Sequence, residues 1–380
     1  MNTSAYHDKP MRPTGADIHN HSSQELTELA ERIKQWGREL GFAQVGITDT
    51  DLETHERYLE RWLAAGHHGE MGFMAKHGSK RTRPHALIPG TLRVISVRMD
   101  YLPPEVETTQ LLGQPDKAYV SRYALGRDYH KLIRKRLAAL ARHIEDEVGA
   151  FGYRAFVDSA PVMERALAQK AGLGWFGKNS MLLNPQAGSL FFLGELYTDL
   201  PLPVDTPFES EHCGNCSQCR TACPTGAIVD DKVVDSRRCI SYLTIELHGS
   251  IPEQYREAMG NRVYGCDDCQ LVCPFTRFTR ASHEQDFAPR HDLDRASLVR
   301  LFAWSEQEFL AKTEGSAIRR IGYTRWLRNL AVGLGNAPWS EVLEAALRAR
   351  LAYPSDLVRE HVRWALARQR EKRQRLIARS

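Results

Sequence analysis

The stretch Cys213-Gly-Asn-Cys216-Ser-Gln-Cys219-Arg-Thr-Ala-Cys223-Pro224 is answered further on by Cys239 and by Cys266-Asp-Asp-Cys269-Gln-Leu-Val-Cys273-Pro274, and together these hold all eight cysteines of the chain. A C-x2-C-x2-C-x3-C-P run bends three thiolates round one face of an iron-sulfur cubane. It sends the fourth, set apart by its longer spacer and the proline, to a neighbouring cluster. On that rule the ligand count closes. Cys213, Cys216, Cys219 and Cys273 take one 4Fe-4S cluster, and Cys223, Cys239, Cys266 and Cys269 take the second.

Zinc and disulfides are the rival readings. Structural zinc prefers two close pairs, or cysteine with histidine, and would leave Cys219 without a role. Disulfides need an oxidising compartment, and nothing upstream reads as a secretory signal. Two clusters account for the spacing best. The segment Thr225 to Val234 has the strand, turn, strand pattern that follows the Cys-Pro pair in ferredoxin-like modules.

Working outward, 380 residues exceed one ordinary domain. A hydrophobic content of 42% with 26% charged residues describes a soluble globular chain with a sizeable core. No apolar run approaches the roughly 20 residues that span a bilayer. The formal net charge of +4 is only mildly basic, so a polyanionic partner has to be argued from where the charge sits. Cysteine confined to cluster ligands fits a reducing cytoplasm.

Residues 1–24 are polar and read as a mobile tail, in which His7, His19 and His21 lack a scaffold to act as metal ligands. From Glu25, the residues Leu26, Leu29, Ile33, Trp36 and Leu40 fall at helical spacing and Gly41 stops the helix. The pattern then predicts a strand over Phe42 to Thr48, a helix over Glu53 to Ala65, a buried strand over Leu92 to Met99 and a long helix over Tyr129 to Val148. A strand over Arg154 to Val157, a helix over Pro161 to Ala171, and strands over Ser180 to Leu183 and Leu190 to Tyr197 follow. Alternating helices and strands imply an α/β domain over 25–205 with its sheet covered by helices. The double-cluster module then occupies 206–288.

Gly172, Gly174 and Gly177 fit G-x-G-x-x-G, and Gly172 to Lys178 fits G-x-x-x-x-G-K, but Asn179 stands where a P-loop needs Ser or Thr. A helix precedes this loop and a strand follows it, the reverse of both phosphate-binding contexts. The loop, with Lys178 and Asn179, suits close contact with some other large cofactor. Asp158, at the end of its strand, reads either as a capping carboxylate before Pro161 or as a proton donor at the carboxyl end of a strand. Asp128-Tyr129-His130 starts like the cobalamin motif D-x-H-x-x-G, but Ile133 replaces the glycine, which argues against His130 as a cobalt ligand.

Ser121-Arg-Tyr-Ala-Leu-Gly-Arg-Asp-Tyr-His-Lys131, Val157-Asp-Ser159, Gly172-Leu-Gly-Trp-Phe-Gly-Lys-Asn179, Arg238-Cys-Ile-Ser-Tyr-Leu-Thr244 and Gly260-Asn-Arg-Val-Tyr-Gly-Cys-Asp-Asp-Cys-Gln270 are a specific ordered set. The set resembles the epoxyqueuosine reductases, and the match covers about residues 25 to 380. The resemblance implies a cobalamin-dependent, double-cluster enzyme for the last step in making the tRNA modification queuosine. Cobalamin is held base-off in an α/β domain similar to that of reductive dehalogenases, which explains the missing histidine motif. The resemblance makes Asp158 the proton donor near cobalt. It places Arg81, Ser121, Asp158, Lys178, Asn179, Ser241, Cys266 and Asp267 at positions like those of cofactor contacts. Some relatives carry Cys where this chain has Ser121, so that position is assigned no catalytic role.

Residues 289–380 read as helices over Leu298 to Phe302, Glu306 to Ala311, Ile318 to Leu334, Trp339 to Ala349 and Leu357 to Ile377, which look like HEAT-like repeats. The fold class expected is therefore α+β and α/β, multidomain: an α/β cobalamin domain, a ferredoxin-like double-cluster domain and helical repeats. Arg319, Arg320, Arg325 and Arg328, with Tyr323 and Trp326 interleaved, form the expected phosphate track for tRNA with queuosine-type anticodons. Arg363 to Arg379 add a second basic helix. An external donor such as ferredoxin or flavodoxin would supply electrons to a cytoplasmic monomer. Desolvation under the corrin is expected to raise the pKa of Asp158. The alternatives are a dehalogenase-like reductase of a small substrate, which leaves the basic helices unused, and a non-catalytic ferredoxin-like carrier, which leaves the α/β domain unused.

Overall fold

The computed structural model describes residues 22–378. The expected tail, with His7, His19 and His21, lies outside these residues as far as position 21, and so does Arg379. Ser22 already caps the first helix, Ser23–Glu39, in a reciprocal box with Glu25, a device worth about 1 kcal/mol. Gly41, at φ +86°, ends that helix as its left-handed backbone allows.

Among the described residues the strands are β1 (Gln44–Thr48), β2 (Arg93–Asp100), β3 (Tyr119–Val120), β4 (Tyr153–Phe156), β5 (Trp175–Phe176), β6 (Leu182–Leu183), β7 (Phe191–Thr198), β8 (Ile228–Asp230), β9 (Val233–Val234) and β10 (Arg262–Tyr264). β1, β2, β7 and β4 join in that order into a four-stranded sheet, and every neighbouring pair in it is antiparallel. The alternation of helix and strand is present, but the sheet is of the α+β kind. Hydrophobic period reports the type of an element and is silent on its direction.

Helices cover both faces. Ile95, Val97 and Leu196 pack against Leu29 and Ile33 of the first helix and against Ile133, Leu137 and Leu140 of the Tyr129–Val148 helix. Val94, Phe156 and Tyr197 face Ala166 and Leu167 of the short Glu164–Lys170 helix, and each such fully buried aliphatic side chain contributes roughly 1.5–3 kcal/mol. That short helix beds directly on β1, because a Cβ at Gly46 would lie 2.0 Å from the Ala171 carbonyl oxygen.

The expected Pro161 to Ala171 helix starts only at Glu164, and Met163 occupies its N-cap. Pro161 shapes the preceding loop instead, and Asp158 caps nothing. β3 and β10 pair in parallel and tie the first module to the second. Strands of two and three residues are too short to show a period, so this pairing was not legible.

The expected helix from Ile318 breaks into a 3-10 turn, Ala317–Ile321, and a helix, Gly322–Asn336, with Gly322 at φ +72°. The helix packs against Asp356–Ile377, Val358 and Val362 meeting Trp326, Leu327 and Leu330 in a core that runs on through Val263 and Val120. The helical end and the cluster module thus share one apolar interior. No helix among the described residues is long and apolar enough to cross a membrane.

Candidate active site and cluster ligands

All eight cysteines are unpaired thiols, and they fall into two neighbourhoods. Cys219 feels the charges of Cys213, Cys273 and Cys216, and Cys273 those of Cys213 and Cys216. Cys239 faces Cys223, and Cys269 faces Cys239 and Cys223. Cys273 thus acts with the first run and Cys223 with Cys239 and Cys269, while Cys219 also acts on Cys269. Burial first, then mutual repulsion, raises Cys219 and Cys269 above the ordinary thiol value. A cationic iron core is the group that relieves such crowding. The hairpin β8/β9 follows Cys223, whose sulfur accepts the Ala227 amide at 3.2 Å.

A second constellation assembles at the edge of the sheet. Asp128 caps the Tyr129–Val148 helix, accepting the His130 amide at 3.1 Å and facing the same imidazole Nδ1 at 2.5 Å. The other imidazole nitrogen, Nε2, lies 3.2 Å from Asp158 Oδ2, and the Tyr129 hydroxyl donates to that oxygen at 2.6 Å. Phe192 stacks on the Tyr129 ring at 3.8 Å and fixes it. Asp158 is held at φ +47°, a left-handed backbone rare outside glycine, with its amide donated to the Glu164 carboxylate.

Burial alone would depress His130, but Asp128 and Asp158 on either side overcome it and raise the imidazole above its ordinary value. Burial pushes the other way on Asp158, and the His130 and Tyr129 hydrogen bonds win, holding its carboxylate below the ordinary range. The His130 and Tyr129 contacts thus work against the upward shift expected of Asp158 under the corrin. Half of its side chain is exposed.

The remaining cofactor positions are not alike. Arg81 is buried near Asp158 and Glu164, donating to Phe73 O at 2.9 Å while its Nε lacks an acceptor. Asn179 bonds the Cys269 carbonyl at 3.1 Å, and Ser241 turns its amide to Cys239. Lys178 lies 3.3 Å from Asp231. Cys266 belongs with the thiols. Ser121 and Asp267, each 1% exposed, close on one another, and Asp267 also accepts from Tyr119 OH and the Arg122 amide at 2.8 Å each. Their side chains present no surface to the cleft, so they act as a buried knot. Beside them Arg122, stacked on Tyr119, has three buried guanidinium nitrogens with no acceptor. Unpaired buried donors of this kind, at Arg81 and Arg122, fit large acceptor-rich or anionic groups.

Two family models match: epoxyqueuosine reductase QueG, DUF1730, over residues 81–159, and the 4Fe-4S double cluster binding domain over residues 212–276. The epoxyqueuosine reductase of Pseudomonas aeruginosa is 64% identical over 352 residues, covering 93% of this chain and 98% of the relative. This chain belongs to the epoxyqueuosine reductase family. The Escherichia coli epoxyqueuosine reductase is 60% identical over 93% of each chain. A crystal structure of an epoxyqueuosine reductase with a tRNA-Tyr epoxyqueuosine-modified stem loop superposes with a TM-score of 0.82, at 26% identity and 90% coverage of each chain. The Streptococcus thermophilus epoxyqueuosine reductase gives 0.81 at 26% identity and the same coverage. The chain is thus an oxidoreductase that reduces epoxyqueuosine, and its cluster module is of the double 4Fe-4S type. The dehalogenase-like and carrier alternatives fall away.

Within this epoxyqueuosine reductase fold the four expected tRNA arginines separate. Arg328 is fully buried and donates to Leu243 O at 2.8 Å and to Leu247 O and Gly249 O at 2.7 Å. With its Nε donated to Asn329 Oδ1 at 3.0 Å as well, it presents no surface to a phosphate and instead clamps the cluster module to the helical end, a correction that a helical charge pattern could not foresee. Arg325 spends donors on Ile245 O and Ile321 O at 3.0 and 2.7 Å but stays half-buried, and Arg319 is exposed. Arg320 is exposed too, and its charge is felt by Asp128 and Asp158. On the last helix Lys372 caps the carbonyls of Gly335, Asn336 and Ala337 at 2.6–2.8 Å. Sequence reasoning set His130 aside and missed Tyr129, Glu164 and Glu195. For Glu195 there was a signal: one acid in the apolar run Leu190-Phe-Phe-Leu-Gly-Glu-Leu-Tyr197.

Proposed function

We propose that the chain reduces epoxyqueuosine within a tRNA anticodon at the cleft of Asp158, as a cytoplasmic monomer fed by an external donor such as ferredoxin or flavodoxin. When bound, base-off cobalamin supplies low-potential reducing chemistry at a metal facing the substrate, and two 4Fe-4S clusters supply it with single electrons. Arg81, Asn179, Lys178 and Ser241 would hold the corrin from the sheet side and the cluster side. Asp158 delivers a proton to the departing oxygen, and His130 recharges it. Asp128 orients the imidazole through Nδ1, and Tyr129 fixes the Asp158 oxygen that faces the imidazole. Arg319, Arg320 and Arg325 carry the tRNA backbone, with the HEAT-like helices as their support.

The observation that supports this reading most is that the charge of the exposed Arg320 reaches Asp158. It brings a proton outlet from the first module and an exposed cation from the last together where a splayed base and its phosphate would lie. The test is anaerobic purification with added cobalamin, followed by reaction with epoxyqueuosine-bearing tRNA. The expected result is a cobalamin absorption spectrum over a broad iron-sulfur band, about eight irons per chain, and a product lighter by one oxygen. A loaded protein that binds no cobalamin yet makes product would contradict the cofactor assignment.

A further inference from the structure

Loss of an epoxide oxygen as water breaks two carbon–oxygen bonds, forms a carbon–carbon double bond, and consumes two electrons and two protons. Asp158 and His130 share only one mobile proton between them. We propose that Glu195 and Glu164 store the second proton behind the active site and deliver it through Asp158. This rests on the reading of Asp158 as the proton outlet.

Glu195 stands on β7, between Ser96 of β2 and Phe156 of β4. It is 0% exposed, and both its carboxyl oxygens are buried without a hydrogen-bond partner. Ser96 Oγ and Tyr197 OH, on the same face of the sheet, are equally unpartnered. The charged groups acting on Glu195 are Glu164, from the helix above, and Asp158; both are acids. Arg81 and Arg165 serve Glu164 and Asp158 instead, and His130 approaches Glu164. A carboxyl group so placed cannot stay ionised without large cost, and burial followed by the Glu164 charge pushes Glu195 well above its ordinary range. Glu164 is half-buried, open to the cleft on one side, and is also raised, by burial first and then by the Asp158 charge. The stored proton therefore belongs to Glu195.

Glu164 accepts the Asp158 amide and is also the acid that acts most strongly on Glu195, so it stands between the two. Asp158 gives its proton to the departing oxygen. Glu164 takes the Glu195 proton and hands its own to the emptied Asp158. Asp158 passes this second proton to the same oxygen, which leaves as water; after product release Glu195 and the Asp158–His130 pair each take one proton from water, and the charge returns to its starting value. Glu164 and Glu195 are positioning residues in this scheme, since neither touches substrate.

Infrared and kinetic measurements on the loaded enzyme test it together. Wild type minus Glu195→Gln at neutral pH should show the carbonyl stretch of a protonated carboxylic acid, shifted in heavy water. Pre-reduced Glu195→Gln should slow single-turnover reduction on the order of 10- to 100-fold with unchanged tRNA affinity and metal content. Glu195→Asp, which keeps a proton, should recover most of the rate. Absence of the band, or a wild-type rate and pH profile in Glu195→Gln, overturns the proposal. Should Glu195→Gln fail to load its clusters, the difference spectrum of wild type across alkaline pH reads the same band. Asp158→Asn run in parallel separates the two claims. If it remains active, the outlet reading fails; if it is inactive while Glu195→Gln is normal, only the stored proton fails.

Discussion

The cluster module and the Asp158 cleft encode their chemistry in different ways. In the first, seven of the eight cysteines lie in two short runs whose spacing is itself the geometry of a cubane. In the second, the working groups come from a helix cap, a strand-end loop, a short helix, a central strand and a 3-10 turn: Asp128 with His130, Asp158, Glu164, Glu195 and Arg320. No two of these elements announce each other in sequence. Local ligation leaves a local pattern, whereas proton handling is built by tertiary burial and leaves at most an odd residue, such as the lone acid of β7.

The largest effect that could break this contrast is on the crossed ligation. Cys273→Ser should destroy the cluster built on Cys213, Cys216 and Cys219 and abolish reduction; Mössbauer spectra of the purified protein would show half of the cubane signal lost. If the lost cluster were instead the one of Cys223, Cys239 and Cys269, the runs would be uncrossed.

Arg328→Met sharpens the difference between a clamp and a phosphate contact. It strands three carbonyls in the interior, so stability should fall by roughly 3–5 kcal/mol in denaturant unfolding, while the salt dependence of tRNA binding in the surviving folded protein stays put. A flattened salt slope with unchanged stability would return Arg328 to the track.

His130→Gln probes the cleft. Rates should drop about 10-fold, since Asp158 loses its proton source but keeps Tyr129. The pH dependence of stability carries a sign as well. His130 is raised in the folded state, so its contribution is complete below the ordinary histidine value and is lost as pH rises through the raised one. Thermal midpoints of wild type should therefore fall relative to His130→Gln as pH rises through the raised value. Parallel curves would mean that the imidazole is neutral throughout.

The smallest effect concerns the tRNA surface. Replacing Arg319 and Arg320 by Ala should weaken every substrate tRNA alike and reduce the salt slope by about 0.9 for each duplex phosphate that is no longer neutralised, read by binding across a salt series. An unchanged slope would leave both arginines as a solvated face.

Much of the fold was legible before the structure. Tyr129–Val148 begins and ends where its periodicity predicts, and the cover of the sheet by helices followed from the same signal. Strand direction, the β3/β10 pairing and the break at Gly322 were not legible, because each depends on contacts across the chain rather than on period. At the site, Asp158 was found by its place at a strand end and by family resemblance. Its expected pKa weighed desolvation under the corrin without His130, which lies 28 residues away in sequence and 3.2 Å away in space. Arg328 was misread for a similar reason. A helical wheel shows where a charge points, and what lies opposite is settled only by packing.

The most direct test of the central claim is single-turnover reduction of an epoxyqueuosine-bearing tRNA stem loop by pre-reduced enzyme, wild type against Asp158→Asn, with product followed by mass. Asn preserves size and can still hydrogen-bond Tyr129 but has no proton to give. With both clusters, cobalamin and tRNA affinity intact, the rate should fall on the order of 100-fold or more. A variant that is fully loaded, binds tRNA normally and turns over at the wild-type rate would contradict the assignment of the cleft.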